Sequence, residues 1–162
     1  MTDELTKNIL SDMRVELADE FDDNFSKGGF FGKKWQKRFD GTDTHLVRTG
    51  KLRRSIQAKI RGSSVVFSSS EPYAAIHNDG GTITVTAKMR KYFWAQYLAS
   101  GKKGKQAQIF KALALKKVGS KIKIPQRRFI GFSPQVKKCI ETIIQTNVNR
   151  YTDKITQQLK NK

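Results

Sequence analysis

The 162-residue chain has one cysteine, Cys139, and only two histidines, His45 and His77. A single thiol excludes an internal disulfide and a thiolate zinc cage, and two imidazoles are too few for a histidine cluster, so no metal is expected to organise the fold. No run approaches the roughly eighteen apolar residues of a membrane span, and the start MTDELTKNIL has neither the basic nor the apolar region of a secretory signal. These absences predict a protein that stays in the cytoplasm where it is made, without a membrane partner. The most telling absence is of negative charge. Between Asp79 and Glu141 there is no Asp or Glu, and fifteen Lys and Arg fill the gap, whereas residues 1–25 hold eight acids against Lys7 and Arg14. The net charge of +18 is therefore segregated. An acid-free stretch of this kind repels itself and sets up a positive field that attracts nucleic acid, an acidic protein face or an anionic surface.

What is present fits one folded domain, 1–162. The length suffices to bury roughly two thirds of the unfolded surface, and the apolar residues fall in periodic runs. Leu5, Ile9, Met13, Leu17, Phe21 and Phe25 recur in steps of four, a helix that Thr2 can cap and that Gly28 and Gly29 close near Lys27. The aromatic and basic stretch FFGKKWQKRFDGTDT lacks a clean period and reads as an irregular crossing pinned by Trp35. From Ser55 the pattern alternates, with Ile56, Ala58 and Ile60 inward; Gly62, Ser63 and Ser64 form a turn, and VVFSS returns as a second strand. Pro72 opens a short helix, YAAIHN, closed by Gly80 and Gly81, and TITVT is a strand with Ile83 and Val85 inward.

MRKYFWAQYL and QAQIFKALALKKV read as helices split by the flexible basic linker SGKKGK, within a basic helical insertion at 82–120. KIKIP is the last strand. Ser133 caps and Pro134 opens a long final helix carrying Val136, Ile140, Ile143, Ile144, Val148, Tyr151, Ile155 and Leu159. The class is α+β: a small antiparallel sheet packed by N- and C-terminal helices, with the basic helical insertion between strands. No internal repeat or low-complexity segment is present.

Three clusters are more specific than composition: TGKLRRSI at 49–56, PYAAIHNDGG at 72–81 and IPQRRFIGFS at 124–133. In this order they resemble the phage virion-morphogenesis family of Mu-like phages, the tail completion proteins. Thr49, Gly50, Leu52, Arg53 and Ser55 match its first element, Tyr73, Ala74, His77, Gly80 and Gly81 its second, and Pro125, Arg127, Phe129 and Gly131 its third. The likeness covers about residues 45–140 and departs at Arg128, where a proline or uncharged residue is common. It implies a non-enzymatic role in tail completion or head–tail joining through protein contacts. Head–tail connector or tail proteins would be the partners, and a homo-oligomeric ring the assembly. The protein would be in the host cytoplasm during assembly and then in the tail or neck of the virion.

The residues themselves agree with scaffold use. Gly50, Gly80, Gly81 and Gly131 stand where positive φ or close backbone approach is expected. Pro125 and Phe129 seat the chain between the last strand and last helix, and His77 on its short apolar helix reads as a hydrogen-bonded structural histidine. For catalysis the chain lacks a nucleophile–base pair, a carboxylate pair and a metal cage. Cys139 lies beside an apolar stripe, Ser55 or Ser68 with His77 and Asp79 makes no recognised spacing, and only Glu71 and Asp79 border the basic region. No cofactor is expected. The alternative is a nucleic-acid-binding module in the basic aromatic segment 88–128: Lys88, Arg90 and Lys91 interleave with Tyr92, Phe93, Trp94 and Tyr97, and Lys102, Lys103 and Lys105 follow. Against it, Met89, Phe93 and Tyr97 form a stripe at helical spacing, the pattern of a packed face.

Overall fold

The computed structural model describes residues 2–37, 46–47 and 49–161, without the side chain of Thr2. The cap expected of that side chain, residues 38–44 of the aromatic crossing, and His45 lie outside the described residues. Helix α1 spans Thr2–Lys27, with Asp3 and Glu4 in its first turn and Lys27 in its last, each favourably placed against the helix dipole. Leu10, Leu17, Phe21 and Phe25 along it are buried. The following residues, expected to be irregular, fold into a tight antiparallel ribbon, β1 Gly29–Phe30 with β2 Lys33–Lys34. A Cβ at Gly29 would lie 2.7 Å from the carbonyl oxygen of Lys33, so only glycine lets the two backbones come this close. Phe30 and Phe31 fold back on Phe21, at ring-centroid distances of 6.5 and 6.2 Å.

A one-turn helix, α2 Lys51–Arg54, leads into a hairpin of β3 Ile56–Arg61 and β4 Ser64–Ser69. Arg61 pairs with Ser64, so the turn is the two residues Gly62 and Ser63, and Ser64, expected in the turn, belongs to the strand. Helix α1 lies across this hairpin, where the ring of Phe67 meets Phe21 edge-on at 4.9 Å. Ile56 and Ala58 are half-buried as expected. Ile60, beside the turn, is 42% exposed, because α1 covers the opposite end of the hairpin.

Helix α3 Ala74–Asp79 leads to β5 Gly81–Thr84, which pairs antiparallel with β6 Lys121–Ile124. Between these strands run α4 Ala87–Ala99 and α5 Gly104–Ala114, packed on each other as a helical hairpin. The final helix, α6 Pro134–Lys160, starts as expected: Ser133 Oγ accepts from Val136 N at 3.1 Å. The class is thus α+β with flanking terminal helices, and among the described residues the strands form three two-stranded antiparallel ribbons. Among the described residues no helix is long and apolar enough to cross a membrane.

Helix α6 packs along α1, and Leu17, Phe21 and Val136 form one buried cluster with Met13, Phe67, Cys139 and Ile140 against it. The row expected on α6 is only partly covered. Val136 and Ile143 are buried, while Ile144, Val148 and Leu159 are 39%, 37% and 71% exposed, because α1 lies against one side of α6 alone. Polar ties extend the pairing past the apolar part: Asn147 Nδ2 donates to Asp12 Oδ2 at 2.9 Å, and Lys154 reaches Glu4 at 2.8 Å.

Candidate functional site

The three sequence clusters meet. Leu52 on α2, Ala74 on α3 and Phe129 before α6 are buried together against Phe25 of α1, with Trp35, Val47 and Ile56 packed around them. Phe25 and Phe129 stack at a tilt, 5.0 Å between centroids, and both are essentially inaccessible. Burying each such ring stabilises the fold by about 1.5–3 kcal/mol. One residue from each cluster thus builds a common junction, and most of the remaining motif positions hold the backbone around it.

In the first cluster, Gly50 takes φ 66 at the start of α2, Thr49 O accepts from Arg54, and Arg53 pairs with Asp22 of α1 through two guanidinium nitrogens. Ser55 Oγ is buried, donates to Leu52 O at 2.7 Å and lies 2.7 Å from Ser69 Oγ, which in turn accepts from Glu71 N. The hydroxyl therefore ties the helix to both strands of the hairpin. In the second, Tyr73 sets its ring edge against His77 at 5.9 Å. Gly80 has φ 72, and a Cβ there would lie 2.9 Å from Gln126 N, so the second cluster touches the third backbone to backbone; Gly81 has φ 146. In the third, half-buried Pro125 ends the β6 strand, Arg127 Nε donates to Gln36 O at 3.1 Å, and Gly131 has φ 139. Arg128, the departure from the family pattern, lays its guanidinium 5.4 Å from the Phe30 ring, and Trp35 Nε1 donates to its carbonyl at 2.7 Å.

His77 differs from the expectation of a hydrogen-bonded side chain. Its Nδ1 is buried with no hydrogen-bond partner among the described residues. The residue ties the turn through its backbone, His77 O accepting from Arg127 N at 2.8 Å. Burial, and then the Arg127 guanidinium, push the imidazole below its ordinary value. Burial also raises the Cys139 thiol, with Glu16 and Glu20 adding to it, which disfavours the thiolate. No group of three His, Cys, Asp or Glu side chains among the described residues is placed to hold a metal ion.

Two asparagines complete the junction. Asn78 Oδ1 accepts from both Phe129 N and Ile130 N, at 3.0 and 3.1 Å, and Asn24 Nδ2 donates to Phe129 O while its Oδ1 accepts from Phe31 N. Sequence reasoning passed over both. The available signal was a polar residue between Phe21 and Phe25 on an apolar face, and an amide within the second cluster.

The basic positions lie apart from this junction. Lys88, Lys91, Lys102, Lys103 and Lys105 are exposed on the α4–α5 hairpin, the last three at or next to its tip. Arg90 is half-buried, its Nε donating to Ala114 O at 3.0 Å, so it braces α4 against the end of α5. Met89, Phe93 and Tyr97 face inward: Phe93 stacks on Phe110 at 6.5 Å, and Lys111 approaches the Tyr97 ring at 6.0 Å. Ala107 and Ala114 are fully buried and allow close packing.

The model of the phage virion morphogenesis family matches residues 31–149, which include all three clusters and the helical hairpin. The chain belongs to the phage virion morphogenesis family. No curated protein and no solved structure matches it. The family's name places this chain in virion morphogenesis. In this family member the matched segment begins after α1 and ends within α6, so Phe25, the ring that the three clusters enclose, lies outside it.

Proposed function

We propose that this morphogenesis protein acts in tail completion or head–tail joining as a non-enzymatic assembly part, through contacts with connector or tail proteins and as a homo-oligomeric ring. The observation that carries this reading is how the three clusters use their side chains. Leu52, Ala74 and Phe129 fill one core, and Ser55 and Arg53 tie the elements around it, so the clusters' side chains are engaged in holding the fold, which supports a structural part. The surface supports ring formation. On α1 the exposed Glu16, Asp19 and Glu20 make no ion pair with a described residue, while the rest of the chain is strongly basic. Opposite patches on one subunit allow head-to-tail contacts, which close into a ring when the rotation permits.

Assembly would take place in the host cytoplasm and leave the protein in the tail or neck. Deleting the gene should give separate heads and tails, or tails without a finished end, when lysates are viewed by electron microscopy. Purified particles should contain the protein at a fixed ratio to the tail proteins. Infectious particles forming at normal yield without it would overturn the proposal.

A further inference from the structure

The hairpin α4–α5 is a separate basic arm. It enters and leaves the body through the β5–β6 ribbon, whose ends are locked by Val85 N to Ser120 O at 2.8 Å and Gly119 N to Val85 O at 2.9 Å. None of its residues belongs to either of the two core clusters, and α4 and α5 make their main contacts with each other. The outward face of α4 carries Lys88, Lys91, Tyr92 and Leu98, with Tyr92 54% exposed and Leu98 56%. The tip adds Lys102, Lys103 and Lys105. Lys102 has φ 61, a region that glycine or asparagine occupies at lower cost.

We infer that this arm is a binding site for the phosphate backbone of double-stranded DNA, without sequence preference. Of the anionic partners such a surface could attract, duplex phosphate suits these side chains best. Lysine is depleted from protein–protein interfaces, whereas arginine is enriched, and the arm's one arginine is already engaged with Ala114 O. Duplex phosphates accept lysines as point charges at many registers and need no fixed acidic counterpart. A second copy is a poorer occupant. It offers only Glu16, Asp19 and Glu20 on α1, three acids against the arm's five exposed lysines, whereas a duplex presents phosphates along its whole length. The inference does not depend on the ring or on the joint: an arm can hold duplex whether or not the body closes a ring.

The experiment is fluorescence anisotropy of the full chain with a random-sequence duplex at 50–200 mM salt. The first variant carries glutamine at Lys88, Lys91, Lys102, Lys103 and Lys105; a matched control carries it at the exposed body residues Lys33, Lys34, Lys59, Lys138 and Lys160. If five phosphates are neutralised, the log–log salt slope of the unmodified chain is steeper than that of the arm variant by roughly 4.5, so over that range it weakens roughly 500-fold more. The body control should keep nearly the full slope. Lys102→Asn should raise the melting temperature, by relieving the positive φ, and yet lower the slope by roughly 0.9. Equal losses in the arm and body variants would show attraction by total charge only and overturn the inference. So would an absence of duplex binding at 50 mM salt with the arm folded by circular dichroism, which would leave an acidic protein as the arm's partner. Neither result bears on whether the protein is present in virions.

Discussion

Replacing Asn78 by alanine removes the one side-chain oxygen that accepts from both Phe129 N and Ile130 N, at 3.0 and 3.1 Å. Phe129 is completely buried and Ile130 half-buried, so water can replace the lost acceptor poorly at the first and partly at the second. An unsatisfied buried donor costs about 1–3 kcal/mol, and for this pair the loss should be about 3 kcal/mol. In a chain of this length, that corresponds to a fall of about 6–12 °C in melting temperature. Asn78 Nδ2 also donates to Asp79 Oδ1 at 2.8 Å, an exposed bond, so Asp79→Ala serves as the control and should cost less than about 0.5 kcal/mol. Urea denaturation gives the free energies, and hydrogen exchange at the amides of Phe129 and Ile130 gives the local consequence, which should be faster exchange in Asn78→Ala alone. A loss under about 0.5 kcal/mol, with exchange at those amides unchanged, would refute the idea that this side chain clamps the third cluster to the second.

Replacing residues 88–118 with a short Gly/Ser linker should leave a cooperatively folding body with a melting temperature within a few degrees of the full chain, since the two core clusters hold no arm residue; loss of the unfolding transition would show that the arm is part of the core. Asp22→Asn should cost under about 1 kcal/mol at neutral pH, because the pair with Arg53 is 48% and 31% exposed. The hydrogen bond from Arg53 holds the Asp22 carboxyl below its usual value near 3.8, so this contribution is present above that pH and is lost as pH falls through the depressed value, measurable as convergence of the two melting curves in acid. His77 should titrate below the ordinary value near 6.5 by NMR. Its neutral form is favoured by folding, so the stability it contributes is complete above 6.5 and declines as pH falls through the folded value; a midpoint above 6.5 would contradict the burial of the ring.

Much of the fold was legible because local chemistry fixes it. The apolar steps of four on α1, the alternation from Ile56, and Ser133 with Pro134 each name an element without reference to the rest of the chain. The β1–β2 ribbon was not legible: two-residue strands have no period, and what allows them is the close approach at Gly29 and the packing of Phe30 and Phe31 on Phe21. The outer row of α6 was misleading for a related reason. Ile144 and Val148 sit at helical spacing, but which side of a helix is covered depends on how many neighbours it has, and α1 supplies one. Of the candidate site, the three clusters could be placed in order along the chain, while their meeting around Phe25 is a property of the tertiary structure. Arg90 counted among the free basic residues until its bond to Ala114 O assigned it to the hairpin's own bracing. Asn24 and Asn78 escaped notice because an amide that satisfies backbone groups looks, in sequence, like any surface amide.

The narrow attachment of the helical hairpin also has a mechanical side. At 13 residues, α4 holds the tip about 20 Å from the end of the ribbon. At that distance a change of about 15° in the ribbon's angle would move Lys102 and Lys103 by about 5 Å, nearly one helical turn, so the backbone bonds from Val85 to Ser120 and from Gly119 to Val85 fix where the tip stands. The reach of the tip and the buried junction around Phe25 thus reside in different parts of one small domain.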